Sequence, residues 1–227
     1  MRPRRTSVSR SALATATTRA LLVATLALGA CATPPLSQSQ HDDVSALARE
    51  LQARAYPELA GVTIDIGVMS SADVFFESNF DVPAALAGAR RYRIAVNPQL
   101  FERGAPRDAL AGVLAHELAH TYDYHRRDAA GLLALLPVLV LDNEGAVFER
   151  WTDLQAVARG YGPSLLRYRQ WLRRVLSDEQ WQRKRRLYYD PRELAWLIDV
   201  RERCPALFLA MLDAPPRTTR DVVTHCP

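Results

Sequence analysis

The chain has 227 residues, 24% of them charged and 48% hydrophobic, with three cysteines, five histidines and a formal net charge of +4. On length it fits one main domain. Five arginines and no acid fall within residues 1–30, so the remaining chain carries −1, which removes the electrostatic case for a nucleic-acid partner.

Arg2, Arg4, Arg5, Arg10 and Arg19 make a positive leader, and residues 20–30 (ALLVATLALGA) form an apolar stretch too short to span a bilayer. It runs into Leu28-Gly29-Ala30-Cys31, an aliphatic residue and two small ones before a cysteine. This resembles the lipobox of bacterial lipoproteins. The resemblance implies that residues 1–30 are a signal peptide that is removed and that Cys31 is lipidated as the first mature residue. Residues 31–40 are then a polar tether and residues 41–227 a single domain. The plainer alternative is an ordinary cleaved signal that precedes a cysteine. Arg4-Arg5 hints at a twin-arginine signal whose other parts are missing. Lipidation leaves Cys204 and Cys226, an even pair that an oxidising periplasm favours as a disulfide, with two unpaired thiols as the alternative. Ala32 after the cysteine, where aspartate favours inner-membrane retention in some bacteria, points to the periplasmic face of the outer membrane.

Beyond the tether, residues 44–55 have helical spacing, with Val44, Leu47, Ala48 and Leu51 on one side. Residues 62–69 (VTIDIGVM) alternate as a strand, residues 74–77 suggest a second short one, and residues 92–96 (YRIAV) a third, stopped by Asn97-Pro98. Asp108 is a candidate N-cap for a helix to about Arg126. Helical patterns follow near 128–141, 145–159, 164–176, 178–188 and 191–201, the last restarted by Asp190-Pro191 in the N-cap–N1 pattern. The expected fold class is α+β: a small antiparallel sheet packed on a mainly helical body.

The central helix carries "AGVLAHELAHTYDYH" (residues 111–125). Residues four apart share a helix face, so His116 and His120 can aim two imidazole nitrogens at one ion, and zinc suits neutral imidazole. Glu117 projects about 100° further round, from the 3.6-residue turn. It is too far round to be a third ligand, yet within reach of a metal-bound water. This is the HExxH arrangement. The uncharged neighbours Val113, Leu114, Ala115, Leu118, Ala119 and Thr121 suit a buried metal helix. The bland alternative is a core helix with two hydrogen-bonded histidines.

The metzincin extension needs glycine and histidine where this chain has Asp123 and Arg126. "FERWTD", residues 148–153, instead supplies Glu149 and Asp153 at i and i+4. HExxH followed by ExxxD resembles the gluzincins, the thermolysin-like superfamily, and among them small bacterial envelope members related to the CAAX-endopeptidase type. The resemblance covers residues 92–153. It implies one zinc per chain bound by His116, His120 and Glu149 on two helices, Glu117 as general base, and Asp153 accepting the second N–H of His116. It also implies that residues 92–96 are an edge strand along the cleft on which an extended polypeptide could pair; a plain sheet edge guarded by Arg91 and Arg93 is the alternative. Gluzincins need a late oxyanion donor, for which Tyr188, Tyr189 and His225 are candidates.

Residues 129–141 (AAGLLALLPVLVL) are too short to span a membrane and contain Pro137. A buried, kinked connecting helix and an apolar lip over the cleft both fit. Arg167, Arg169, Arg173, Arg174, Arg183, Lys184, Arg185 and Arg186 form a basic region that reads as a solvated face, with anionic headgroups as a second reading. The functional expectation is a lipid-anchored zinc metalloendopeptidase of the bacterial envelope, acting on polypeptide, with unfolded envelope proteins as candidate substrates. The rivals are a non-catalytic envelope-assembly lipoprotein and a zinc peptidoglycan hydrolase.

Overall fold

Ser37 opens the first helix with a capping box: its hydroxyl accepts from the Gln40 amide at 3.2 Å, and its own amide donates to the Gln40 side chain at 2.9 Å. Helix α1 therefore begins within the expected tether, at Gln38, and runs Gln38–Ala55 with Val44, Ala48, Leu51 and Ala55 buried on one face. This computed structural model describes residues 35–140 and 142–222, all within the unit Thr33–Pro227. The leader, Cys31, His225 and Cys226 lie outside the described residues. Cys204 is buried where two late helices meet.

Strands β1 (Ile64–Val68) and β2 (Phe76–Phe80), a short helix α2 (Val82–Leu86) and strand β3 (Tyr92–Val96) follow. The α+β expectation holds, but the sheet is mixed rather than antiparallel. Its order is β1-β3-β2, with β1 parallel to β3 (Ile64 opposite Tyr92) and β2 antiparallel to it (Phe76 opposite Val96). Residues 92–96 are thus the central strand, not the edge. The burial agrees with this: Ile94, Ala95 and Val96 are buried in succession, as in a strand covered on both faces. The edge nearest the central helix is β2, whose buried Phe76 and Ser78 alternate with exposed Glu77 and Asn79.

After a short helix α3 (Gln99–Glu102) comes α4 (Arg107–Arg126), which is buried along most of its length. Its N-cap is Pro106 rather than Asp108, which sits in the first turn and pairs with Arg167 at 2.6 Å. The helical body continues as α5 (Ala129–Val140), α6 (Asp142–Ala158), α7 (Gly162–Val175), α8 (Asp178–Leu187), α9 (Pro191–Arg203) and α10 (Pro205–Asp213). Asp190 caps α9 with Pro191 at N1, as expected. Leu132 and Leu135 of α5 are buried while Leu133 is exposed, so this helix is covered on one side.

Three contacts hold α4 in place. Gly112 lies against α7 so closely that a Cβ there would be 2.0 Å from the Leu165 backbone nitrogen. The buried Tyr56 hydroxyl donates to the Ala115 carbonyl at 2.5 Å, one residue before His116. From the sheet side, the Ser78 and Thr121 hydroxyls hydrogen-bond at 2.9 Å.

Candidate metal centre

The helical turn of α4 stacks His116 and His120 on one face, their ring centroids 5.0 Å apart and both side chains buried. Helix α6 returns beside α4 and supplies Glu149. One oxygen of that carboxylate, Oε2, lies 3.1 Å from His116 Nε2 and 3.2 Å from His120 Nε2. The three residues offer ligand atoms within 4.8 Å of one another, in position to bind one metal ion. Thr152 donates its hydroxyl to the Glu149 carbonyl at 2.7 Å, and its Oγ1 is 3.3 Å from His116 Nε2.

This donor set fits a metal on electrostatic grounds. His116 Nδ1 is 2.8 Å from Asp153 Oδ1 and donates its proton there. A neutral His116 then presents a lone pair at Nε2, facing another acceptor, the Glu149 oxygen. Two acceptors at 3.1 Å repel unless a cation stands between them. In the bare polypeptide a proton fills that role. Burial pulls His116 down, but the hydrogen bonds to Asp153 and Glu149 outweigh it and push the pKa up to about 9. Burial likewise works against the Glu149 carboxylate, yet the two histidines hold its pKa below the usual range. Zinc takes this combination of imidazole nitrogen and carboxylate oxygen. His120 is oriented by packing instead: its ring meets Phe148 edge-on at 4.8 Å and stacks on Tyr124 at 6.2 Å, while its buried Nδ1 has no hydrogen-bond partner among the described residues.

Asp153 is fully buried and fully engaged. Oδ1 accepts from His116 and, at 2.8 Å, from Arg169; Oδ2 accepts from the Tyr189 amide at 3.2 Å. Burial raises its pKa, but the Arg169 charge and the His116 hydrogen bond overcome that and hold it down. Arg169 is 4% exposed, and its guanidinium lies 4.2 Å from the Tyr188 ring centroid. The expectation of a solvated basic face therefore fails for Arg169. Its neighbours on α7, Leu165, Tyr168 and Leu172, are buried, so it sits within the apolar stripe of its helix. An arginine at such a position was the available signal.

Glu117 is also buried and lines a cavity of about 20 Å³ together with His116, Tyr168, Arg169, Lys184 and Tyr188, beside Phe75 and Phe76. A volume of that size admits about one water. Burial raises the Glu117 pKa, opposed by the two histidines. Lys184 is the second residue whose place the sequence did not reveal. It reaches this cavity from α8, where burial lowers its pKa. Of the late donors, Tyr188 lines the cavity with its ring 5.7 Å from that of His116, whereas Tyr189 donates its hydroxyl to Pro216.

Residues 65–177 match the family model of Peptidase family M48, a gluzincin-type family of zinc metallopeptidases. The matched segment contains His116, Glu117, His120, Glu149, Asp153 and Arg169, and ends before Lys184 and Tyr188. No curated protein and no solved structure matches the chain.

Proposed function

The chain carries a Peptidase family M48 domain over residues 65–177, and on that premise we propose that it is a zinc-dependent endopeptidase of unfolded polypeptides, held by a lipid on Cys31 at the periplasmic face of the bacterial outer membrane. The observation that carries the catalytic reading is the convergence of His116, His120 and Glu149 next to a cavity that His116 and Glu117 both line. The lipobox-like Leu28–Cys31 run and the alanine after it support the location.

His116, His120 and Glu149 would hold the zinc, which supplies Lewis acidity toward the scissile carbonyl and makes water a competent nucleophile near neutral pH. Glu117 accepts the proton of the attacking water and passes it to the leaving amine. Asp153 keeps the His116 proton on Nδ1, so Nε2 stays available as a ligand. Arg169 keeps Asp153 charged. Strand β2, the sheet edge beside α4, is where an extended substrate would pair.

Zinc analysis of protein purified without added metal, with cleavage of denatured casein, tests this reading. We expect about one zinc per chain, as one tetrahedral site requires, and casein cleavage that His116→Ala abolishes together with the zinc. A zinc-loaded wild type that cleaves no unfolded protein would overturn the reading, and cleavage of purified peptidoglycan alone would transfer it to cross-link hydrolysis.

A further inference from the structure

Two of the four acidic and basic side chains around the Glu117 cavity are committed to partners. Arg169 is bound to Asp153, and Asp73, on the loop before β2, is paired with Arg183 at 3.4 Å. Glu117 and Lys184 are the exceptions: among the described residues neither side chain has a hydrogen bond or an ion pair. A partly buried ammonium with no carboxylate partner loses hydration without compensation. Its neighbours Arg183 and Arg185 do have partners, in Glu179 and Asp190.

The fold holds Lys184 in this position. A capping box between Ser177 and Gln180 starts α8, and Trp181 is buried beneath it. Gln180 donates to the Ala72 carbonyl at 3.3 Å, which with the Arg183–Asp73 pair ties α8 to the loop before β2. Lys184 Nζ stands 5.6 Å from the centroid of the Tyr188 ring, which also meets Arg169 and the His116 ring. The cavity thus has a carboxylate from the metal helix and an ammonium from a different helix.

We propose that Lys184 is a catalytic residue, the cation that faces the oxyanion formed when the scissile carbonyl is attacked. The inference rests on the peptidase reading and adds to it a group outside the segment that matches the family. In the step concerned, the water oxygen bonds to the carbonyl carbon, Glu117 takes the water's proton and the C=O π pair moves onto oxygen. When the pair returns, the C–N bond breaks and the amine leaves with the proton from Glu117. Negative charge on the substrate oxygen exists only between those events, so a fixed cation there favours the transition state over bound substrate. Tyr188 can donate a neutral O–H to the same oxygen; Lys184 brings the full charge.

The test compares wild type, Lys184→Met and Lys184→Arg as full zinc-loaded chains. Zinc content, thermal stability, kcat and KM on a peptide spanning a mapped casein cleavage site are measured. So is the Kd, by calorimetry, of a phosphinic analogue of that peptide, which mimics the tetrahedral anion. Lys184→Met should keep its zinc and fold and lose about 10²- to 10³-fold in kcat. KM should hold within about twofold, since the interaction is made only in the transition state. Its Kd for the phosphinic peptide should weaken by the same factor as kcat/KM, and Lys184→Arg should recover part of both. A Lys184→Met variant with unchanged kcat, a rise confined to KM, or lost kcat with unweakened phosphinic binding would each overturn the proposal while wild-type cleavage leaves the peptidase reading intact. A wild type that neither cleaves nor binds the phosphinic peptide overturns both.

Discussion

His116 and Asp153 are 37 residues apart in the chain, yet Nδ1 and Oδ1 meet at 2.8 Å inside the protein. The same carboxylate oxygen receives Arg169. A ligand on one helix is thereby oriented by a second helix, which is itself neutralised by a third.

Asp153→Asn should weaken zinc binding about 10- to 100-fold, the usual effect of removing the group that orients a ligating histidine. Competition with a chromophoric chelator reads this directly. Unchanged affinity would mean that packing alone sets the His116 ring.

Arg169→Met leaves the Asp153 carboxylate buried without its cation. Breaking a buried pair from one side costs about 3–5 kcal/mol, so the urea midpoint should fall sharply in the metal-free protein. An exposed neighbour such as Arg174 should change stability little on the same substitution.

Glu117→Gln and Glu149→Gln should separate the base from the ligand. The first should retain zinc and lose about 10²- to 10⁴-fold in rate, because an amide cannot accept the water's proton. The second should lose zinc affinity as well as activity. Zinc content and casein cleavage measured side by side make the distinction, and wild-type rates in Glu117→Gln would remove Glu117 from its role.

Gly112→Ala should destabilise the fold although it adds only a methyl. The new Cβ would lie 2.0 Å from the Leu165 nitrogen and 2.3 Å from the Ser164 carbonyl carbon, both backbone atoms that cannot rotate away. Overpacking of this kind costs about 1–3 kcal/mol, and separating α4 from α7 should also loosen the Arg169–Asp153–His116 chain. Chemical denaturation and chelator competition should move together.

Cys31→Ser should release the protein from the membrane. Incorporation of radiolabelled lipid into wild type but not the variant is the expected result, and a variant that stays in the membrane fraction would show that another segment holds it.

What the sequence by itself determined is what depends on local spacing. His116, Glu117 and His120 occupy their helix faces because an α-helix repeats every 3.6 residues, and Glu149 and Asp153 share a face for the same reason. Asp190-Pro191 starts its helix through contacts three residues long. The strand order escaped this reading. Residues 92–96 look like either an edge or a centre until the whole sheet is assembled, and only the pairing with β1 on one side and β2 on the other makes them central. Arg169 and Lys184 escaped it as well. In the chain they belong to a basic run that reads as a solvated face, Arg169 marked only by its place in the apolar stripe of its helix, and it is the packing of α7 and α8 against α4 and α6 that takes them out of water. Whether a charge is solvated, paired with Asp153 or turned toward a reacting oxygen is a matter of dielectric and of partners tens of residues away, and those are set by the tertiary structure alone.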